Sequence, residues 1–295
     1  MDTTTITPFA LKASDGATIA SYRAVPSGNV KAIVQIAHGM AEHFRRYARL
    51  TQKLTAKGYA VFANDHRGHG DSVKGHGLGN FGPRGFQALV DDMATLSQVA
   101  KQELPGKPLV LLGHSMGSFA AQLYLLEHHR ELAGVVLSGT AAMDKLLESL
   151  LASGEPVTLE LLNAGFEPAR TSFDWLSRDP AEVDKYIADP LCGFTVEDAS
   201  TRSMYEIGTK ARFDPRLGQV RKDLPIYVIS GERDPVVGPG QSFANALIDS
   251  YKGFGLKDIV HRVYEGGRHE MFNETNREQV EDELIAWLEN SLPLS

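Results

Sequence analysis

The chain has a single cysteine, Cys192, so it can form no intrachain disulfide. A protein of 295 residues does not need one, because a chain of that length buries a sizeable core without covalent staples. No stretch approaches the ~20 apolar residues of a membrane span. The opening residues, MDTTTITPFALKASDG, lack a basic segment followed by an apolar run, so no secretory leader is expected. Positive charge is scarce too. Thirty Lys and Arg stand against 37 Asp and Glu, for a net charge of −7. That excludes the basic footprint of a nucleic-acid binder. There is no internal repeat and no low-complexity tract. What is left describes an ordinary globular chain, with 42% hydrophobic and 23% charged residues, and its expected place is the cytoplasm.

Short apolar runs recur along the chain, and most lead through a loop into a helical pattern. Residues 9–12 and 18–22, around Asp15-Gly16, read as a hairpin. Runs at 31–37, 59–63, 109–112, 133–138, 225–230 and 259–264 read as buried strands. Helices are expected at 47–57, 86–102, 116–129 and 277–291. Strands alternating with helices predict an α/β fold, a mostly parallel central sheet flanked by helices. In such sheets the functional loops gather at one strand edge. Between Gly139 and Asp223 the strand rhythm stops. Leu146, Leu147, Leu150 and Leu151 space like an amphipathic helix, and 156–165, 181–188 and 195–212 read as further short helices. The expected division is a core of 1–139 and 223–295, with 140–222 as a helical insert above the sheet edge.

The chemistry centres on VLLGHSMGSFA, residues 110–120. A serine hydroxyl is a weak nucleophile that needs a base, an orienting group and donors for the oxyanion. Gly113-x-Ser115-x-Gly117 between an apolar strand and a helix provides the sharp turn that presents such a serine. An acid and a histidine should follow in chain order. Asp234, in ISGERDPVVG beyond a strand, is preferred to Glu232, which reads as a solvated loop charge. His269, in YEGGRHEMF, is preferred to His261, which lies within a strand pattern. Ser115 would attack, His269 would carry the proton, and Asp234 would hold the imidazole. The backbone N–H of Met116 would supply one oxyanion donor. The second would come from Met40, in the loop His38-Gly39-Met40-Ala41-Glu42-His43.

HGMAEHFRRY, NDHRGHGDS, GHSMGS, ISGERDPVV and GGRHE, in that order, resemble the monoacylglycerol lipase and lysophospholipase branch of the α/β-hydrolase family. DPLCGF, residues 189–194, resembles bacterial members of that branch. The likeness spans nearly the whole chain. It implies the α/β-hydrolase fold with a helical lid, and the Ser115–Asp234–His269 triad with oxyanion donors at Met40 and Met116. It also places Glu42 and Arg46 near the polar head of a monoacylglycerol. No cofactor is implied. The partner expected is a small amphiphilic ester, with transient contact between lid and lipid surface. Alternatives kept open are a short-chain carboxylesterase or thioesterase, a peptidase or C–C bond hydrolase, and a non-catalytic small-ligand binder on the same fold. His66, His69 and His76 are spaced too loosely for a metal site, and Asp65-His66-Arg67-Gly68 reads as a polar hydrogen-bonded loop beside the active site. His269-Glu270 is no zinc motif, because position 273 is Asn. Cys192 reads as an inert packing residue.

Overall fold

The computed structural model describes residues 4–74, 77–155 and 157–292. Eight strands form one sheet: β1 (Thr7–Lys12), β2 (Thr18–Ala24), β3 (Ala32–Ala37), β4 (Tyr59–Asn64), β5 (Leu109–His114), β6 (Gly134–Ser138), β7 (Ile226–Gly231) and β8 (Ile259–Tyr264). Their spatial order is β1-β2-β4-β3-β5-β6-β7-β8. β1 and β2 form the antiparallel hairpin expected around Asp15-Gly16, and β2 pairs antiparallel with β4. From β3 and β4 through to β8 every pairing is parallel. The α/β fold class read from the sequence is therefore the one observed.

β3 to β7 are buried end to end and mostly apolar because helices cover both faces. Side chains alternate between the faces. Ile33, Leu111, Val135 and Val228 pack on one side, with α2 (Phe86–Glu103), α3 (Met116–His128) and α7 (Ser242–Gly253). Val34, Leu112, Val136 and Ile229 pack on the other, with α1 (Ala48–Ala56) and α8 (Arg277–Ser291). α3 is apolar around most of its circumference, which suits its central place. α7 was not foreseen from the sequence.

Strand order decides where loops meet. From β3 the chain moves outward to β4, then crosses back over β3 to β5. The connections leaving β3 and β5 therefore diverge, and a crevice opens beyond their carboxyl ends. The loops after β7 and β8 reach the same edge. Between β6 and β7, which are sheet neighbours, the described residues hold no strand. They form α4 (Met143–Ala152), α5 (Pro180–Ala188), α6 (Asp198–Ala211) and short 3-10 turns. α6 packs on α2, α3 and α4. Among the described residues, no helix is long and apolar enough to cross a membrane.

Candidate active site

Ser115 follows β5 directly and caps the N-terminus of α3. Its φ is +50°, a backbone conformation that non-glycine residues rarely take. The strain is held by the surroundings. Its N–H donates to Ser138 O at 2.9 Å, and its carbonyl accepts from Ser118 N–H at 2.8 Å. The flanking glycines are sterically required. A Cβ on Gly117 would stand 2.1 Å from Ala37 O, and one on Gly113 would stand 2.5 Å from Gly117 O. β3, β5 and α3 can approach this closely only without those side chains. Across residues 109–120 only Ser115 is not buried.

His269 lies in the loop between β8 and α8, and its Nδ1–H donates to both oxygens of Asp234 at 3.0 and 2.9 Å. Asp234 lies just past β7 and is anchored by Val236 N–H, 2.8 Å from its Oδ1. Burial works to lower the basicity of His269. The Asp234 charge and hydrogen bond, with Glu270 and Glu42 nearby, outweigh it and raise its pKa above the ordinary value. Glu232 is exposed and accepts from Gly266 N–H. His261 bonds Ser230 on the sheet. His269 lines a hollow with Ser115, and neither rival does.

Met40 and Met116 line a cavity together with Ser115. The loop carrying Met40 is held from several sides. His38 Nδ1 donates to Gly39 O, Ala41 N–H donates to His69 Nε2, and Gly193 N–H donates to Ala41 O. Ala41 sits at φ +52°. Burial lowers the pKa of His38 to about 4 and of His69 to about 3, so both rings are neutral braces. His66 N–H donates to His38 Nε2, which makes the histidine-rich loop the polar support expected of it. His76 lies outside the described residues.

Glu42 is buried, and its carboxylate accepts from Gly39 N–H at 2.5 Å, Tyr47 Oη–H at 2.7 Å and Arg46 Nη1 at 2.7 Å. Arg46 also forks onto Glu270 and lies 4.9 Å over the Tyr186 ring. Two hollows meet at Ser115. The larger is lined mainly by apolar residues such as Phe119, Leu146, Leu150, Phe194 and Met204. The smaller is bounded by Glu42, His114, Trp175, Tyr186, His269 and Glu270. The Trp175 ring lies 4.8 Å from the His269 ring, tilted by 38°, and the Trp175 carbonyl accepts His269 N–H. Trp175, Glu270 and Glu274 were not foreseen as site residues. Only the carboxylate next to His269 offered a local signal.

Among the described residues, His43, Asp189 and Cys192 bring three possible metal donors within 4.8 Å of one another. His43 Nε2 already pairs with Asp189 at 2.9 Å, and burial pushes the Cys192 thiol well up, which favours its protonated form. These groups tie the loop after β3 to the 189–194 turn.

A protein-family model described as serine aminopeptidase, S33, matches residues 28–276. The monoacylglycerol lipase of Mycolicibacterium smegmatis is 32% identical over 272 residues, 90% of this chain and 91% of that protein. The monoglyceride lipase of Homo sapiens is 33% identical over 254 residues, 84% of this chain and 78% of that protein. Among solved structures, a thermostable carboxyl esterase from Bacillus coagulans in complex with glycerol superposes with a TM-score of 0.83. It is 27% identical and covers 97% of this chain and 98% of its own. A soluble variant of monoglyceride lipase from Saccharomyces cerevisiae, at 22% identity, shares the fold with a TM-score of 0.76, covering 99% of this chain and 97% of its own. The chain belongs to the serine aminopeptidase S33 family of α/β-hydrolases, in the branch that resembles the monoacylglycerol lipases.

Proposed function

We propose that the protein hydrolyses carboxylic esters of single-chain acylglycerols, releasing a fatty acid and glycerol. One observation carries this reading: Ser115 lies where a larger hollow lined mainly by apolar residues meets a small one bordered by the Glu42 and Glu270 carboxylates. An acyl chain suits the first, gaining about 0.8 kcal/mol per buried CH₂. A small polyhydroxy alcohol suits the second, because hydroxyl groups donate to carboxylates such as Glu42 and Glu270. Two carboxylates against the Arg46 guanidinium leave one net negative charge there, which disfavours the phosphodiester of a lysophospholipid.

The reaction runs as acyl transfer. Ser115 Oγ attacks the ester carbonyl while His269 Nε2 takes its proton and Asp234 steadies the imidazolium. The backbone N–H groups of Met40 and Met116 receive the oxyanion. His269 returns the proton to the departing alcohol. Water, activated by the same imidazole, then releases the acid and restores Ser115. No cofactor enters. Residues 140–222 serve as a cap that roofs the acyl hollow. Leu151 on α4, 61% exposed, and Ile187 on α5, 49% exposed, give this cap a hold on a lipid surface. The lone cysteine suits a cytoplasmic setting.

The test is hydrolysis of monoacylglycerols from C4 to C18, with lysophosphatidylcholine alongside. The rate should climb with chain length and exceed that on the lysolipid. Ser115→Ala should lose about a millionfold in kcat. A flat series, or one falling from the shortest ester, would favour a short-chain esterase. Failure of Ser115 to take a fluorophosphonate would favour a binding protein. Co-sedimentation with phosphatidylcholine vesicles, weakened in Leu151→Glu, checks the surface contact.

A further inference from the structure

His269 must keep its ring between Asp234 and Ser115 through two proton transfers, yet it sits on a loop. Its neighbour Glu270 is buried, and no proton transfer of the reaction runs through it. A buried carboxylate persists only when its partners compensate for lost water. Here the carboxylate is met by Arg46 and Asn273, while backbone bonds hold its loop to a further segment. Arg46, from the 3-10 turn before α1, grips Glu270 with both guanidinium nitrogens, Nη2 to Oε2 at 2.6 Å. The same Nη1 bonds Glu42, whose other oxygen holds Gly39 N–H beside Met40. Glu270 N–H donates to Leu176 O at 2.8 Å, and His269 N–H to Trp175 O at 3.2 Å, both on the segment between β6 and β7. Asn273, within the same loop, donates to Glu270 Oε2 at 3.1 Å.

We propose that Glu270 is a positioning residue for His269, which, through Arg46, sets the histidine loop against the oxyanion loop at one distance and angle. The proposal rests on the Ser115–His269–Asp234 reading given above. A guanidinium–carboxylate fork is planar and bidentate, so it fixes orientation as well as separation. Lysine would keep the charge and lose the fork. The arrangement also joins the two halves of the chemistry, proton transfer and oxyanion binding, which the sheet delivers on strands β8 and β3. The charged and titratable groups facing His269 are Asp234 after β7, Glu42 after β3, His114 at the end of β5, and Glu270 itself. The Trp175 ring closes the remaining side.

The experiment uses the full chain and p-nitrophenyl butyrate, a small activated ester that makes no demand on the acylglycerol reading. Active sites are titrated with a fluorophosphonate, so misfolded protein drops out of the count. Glu270→Gln should lower kcat per titrated site about tenfold or more with KM within about twofold, the signature of misplaced groups rather than lost binding. The pKa governing kcat/KM should fall by about half a unit as one facing negative charge disappears. Arg46→Lys, which leaves both carboxylates beside a cation, should show a smaller loss of kcat with that pKa nearly unmoved. It decides the question by itself if Glu270→Gln does not fold. Wild-type kcat per titrated site in the variants that fold would overturn the proposal and reduce Glu270 to a buried ion pair that serves stability alone. A wild-type chain that takes no fluorophosphonate would overturn the serine-nucleophile reading, and this one with it.

Discussion

Ser115 shows how a residue's place can be read from its neighbours. Its φ of +50° is costly for a serine, about 1–3 kcal/mol, and is sustained because Gly113 and Gly117 let three elements close around it. The histidine opposite it sets the pH dependence. A general base must be neutral to accept the serine proton, and His269 has its pKa raised above 6.5 despite its burial. The acidic limb of kcat/KM should therefore have its midpoint above 6.5, with activity gained as pH rises through it. Asp234→Asn should move that midpoint down and cut kcat by about 10⁴. A profile flat from pH 5 to 9 would remove His269 as the base. Gly-x-Ser-x-Gly is legible because sterics demand glycine close to the turn. The partnership of Glu270 with Arg46 is not, because 224 residues separate them and nothing local announces it.

At the scale of elements, the segment after Phe173 is stitched to the histidine loop more tightly than a freely hinged flap would be. Beyond the two backbone bonds to Trp175 and Leu176, Ser177 Oγ–H donates to Asn273 O. The fully buried Glu274 carboxylate accepts from Arg178 N–H, Arg178 Nε and Arg268 N–H. These bonds latch the segment to the histidine loop. Glu274→Gln keeps the shape and removes the charge. It should lower stability by about 1–3 kcal/mol, read from the urea midpoint. It should also speed proteolysis within 174–178. Unchanged cleavage there would mean that the latch is not what holds the segment. The helical character of 140–222 was visible in the loss of strand rhythm. Its attachment was not, since the bonds join residues about a hundred positions apart. α7 escaped notice because a Pro/Gly-rich stretch, PVVGPG, stands before it and reads as loop.

The whole molecule carries a ring of buried neutral histidines around its sheet edge. Burial lowers the pKa of His38 and His114 to about 4 and of His69 to about 3. In the unfolded chain the same groups protonate near 6.5. Their stabilisation is complete above pH 6.5 and drains away as pH falls toward 4, because the unfolded state then binds more protons. The slope approaches 1.4 kcal/mol per pH unit for each such histidine. His269, with its raised value, acts with the opposite sign. It adds stability below 6.5 and loses it as pH rises through the raised pKa. Three groups outweigh one, so the urea midpoint should drop steeply between pH 6.5 and 4.5. A midpoint that holds steady across that range would contradict the burial of neutral rings.

Local patterns in the sequence determined the alternation of buried strands and helices, the elbow serine between its glycines, and the acid and histidine beyond later strands. Each depends on periodicity or on steric demands within a few residues. The tertiary structure decided what those patterns leave open. Strand order set β3 beside β5, so that Met40 and Ser115 share one crevice. The segment between β6 and β7 joined the sheet-edge loops in lining the two hollows at Ser115. Pairing of Glu42, Arg46 and Glu270 brought the loop after β3 against the histidine loop. Such outcomes depend on which distant segments meet. That is set by burying the whole apolar surface at once and satisfying every buried charge, not by any short stretch of chain.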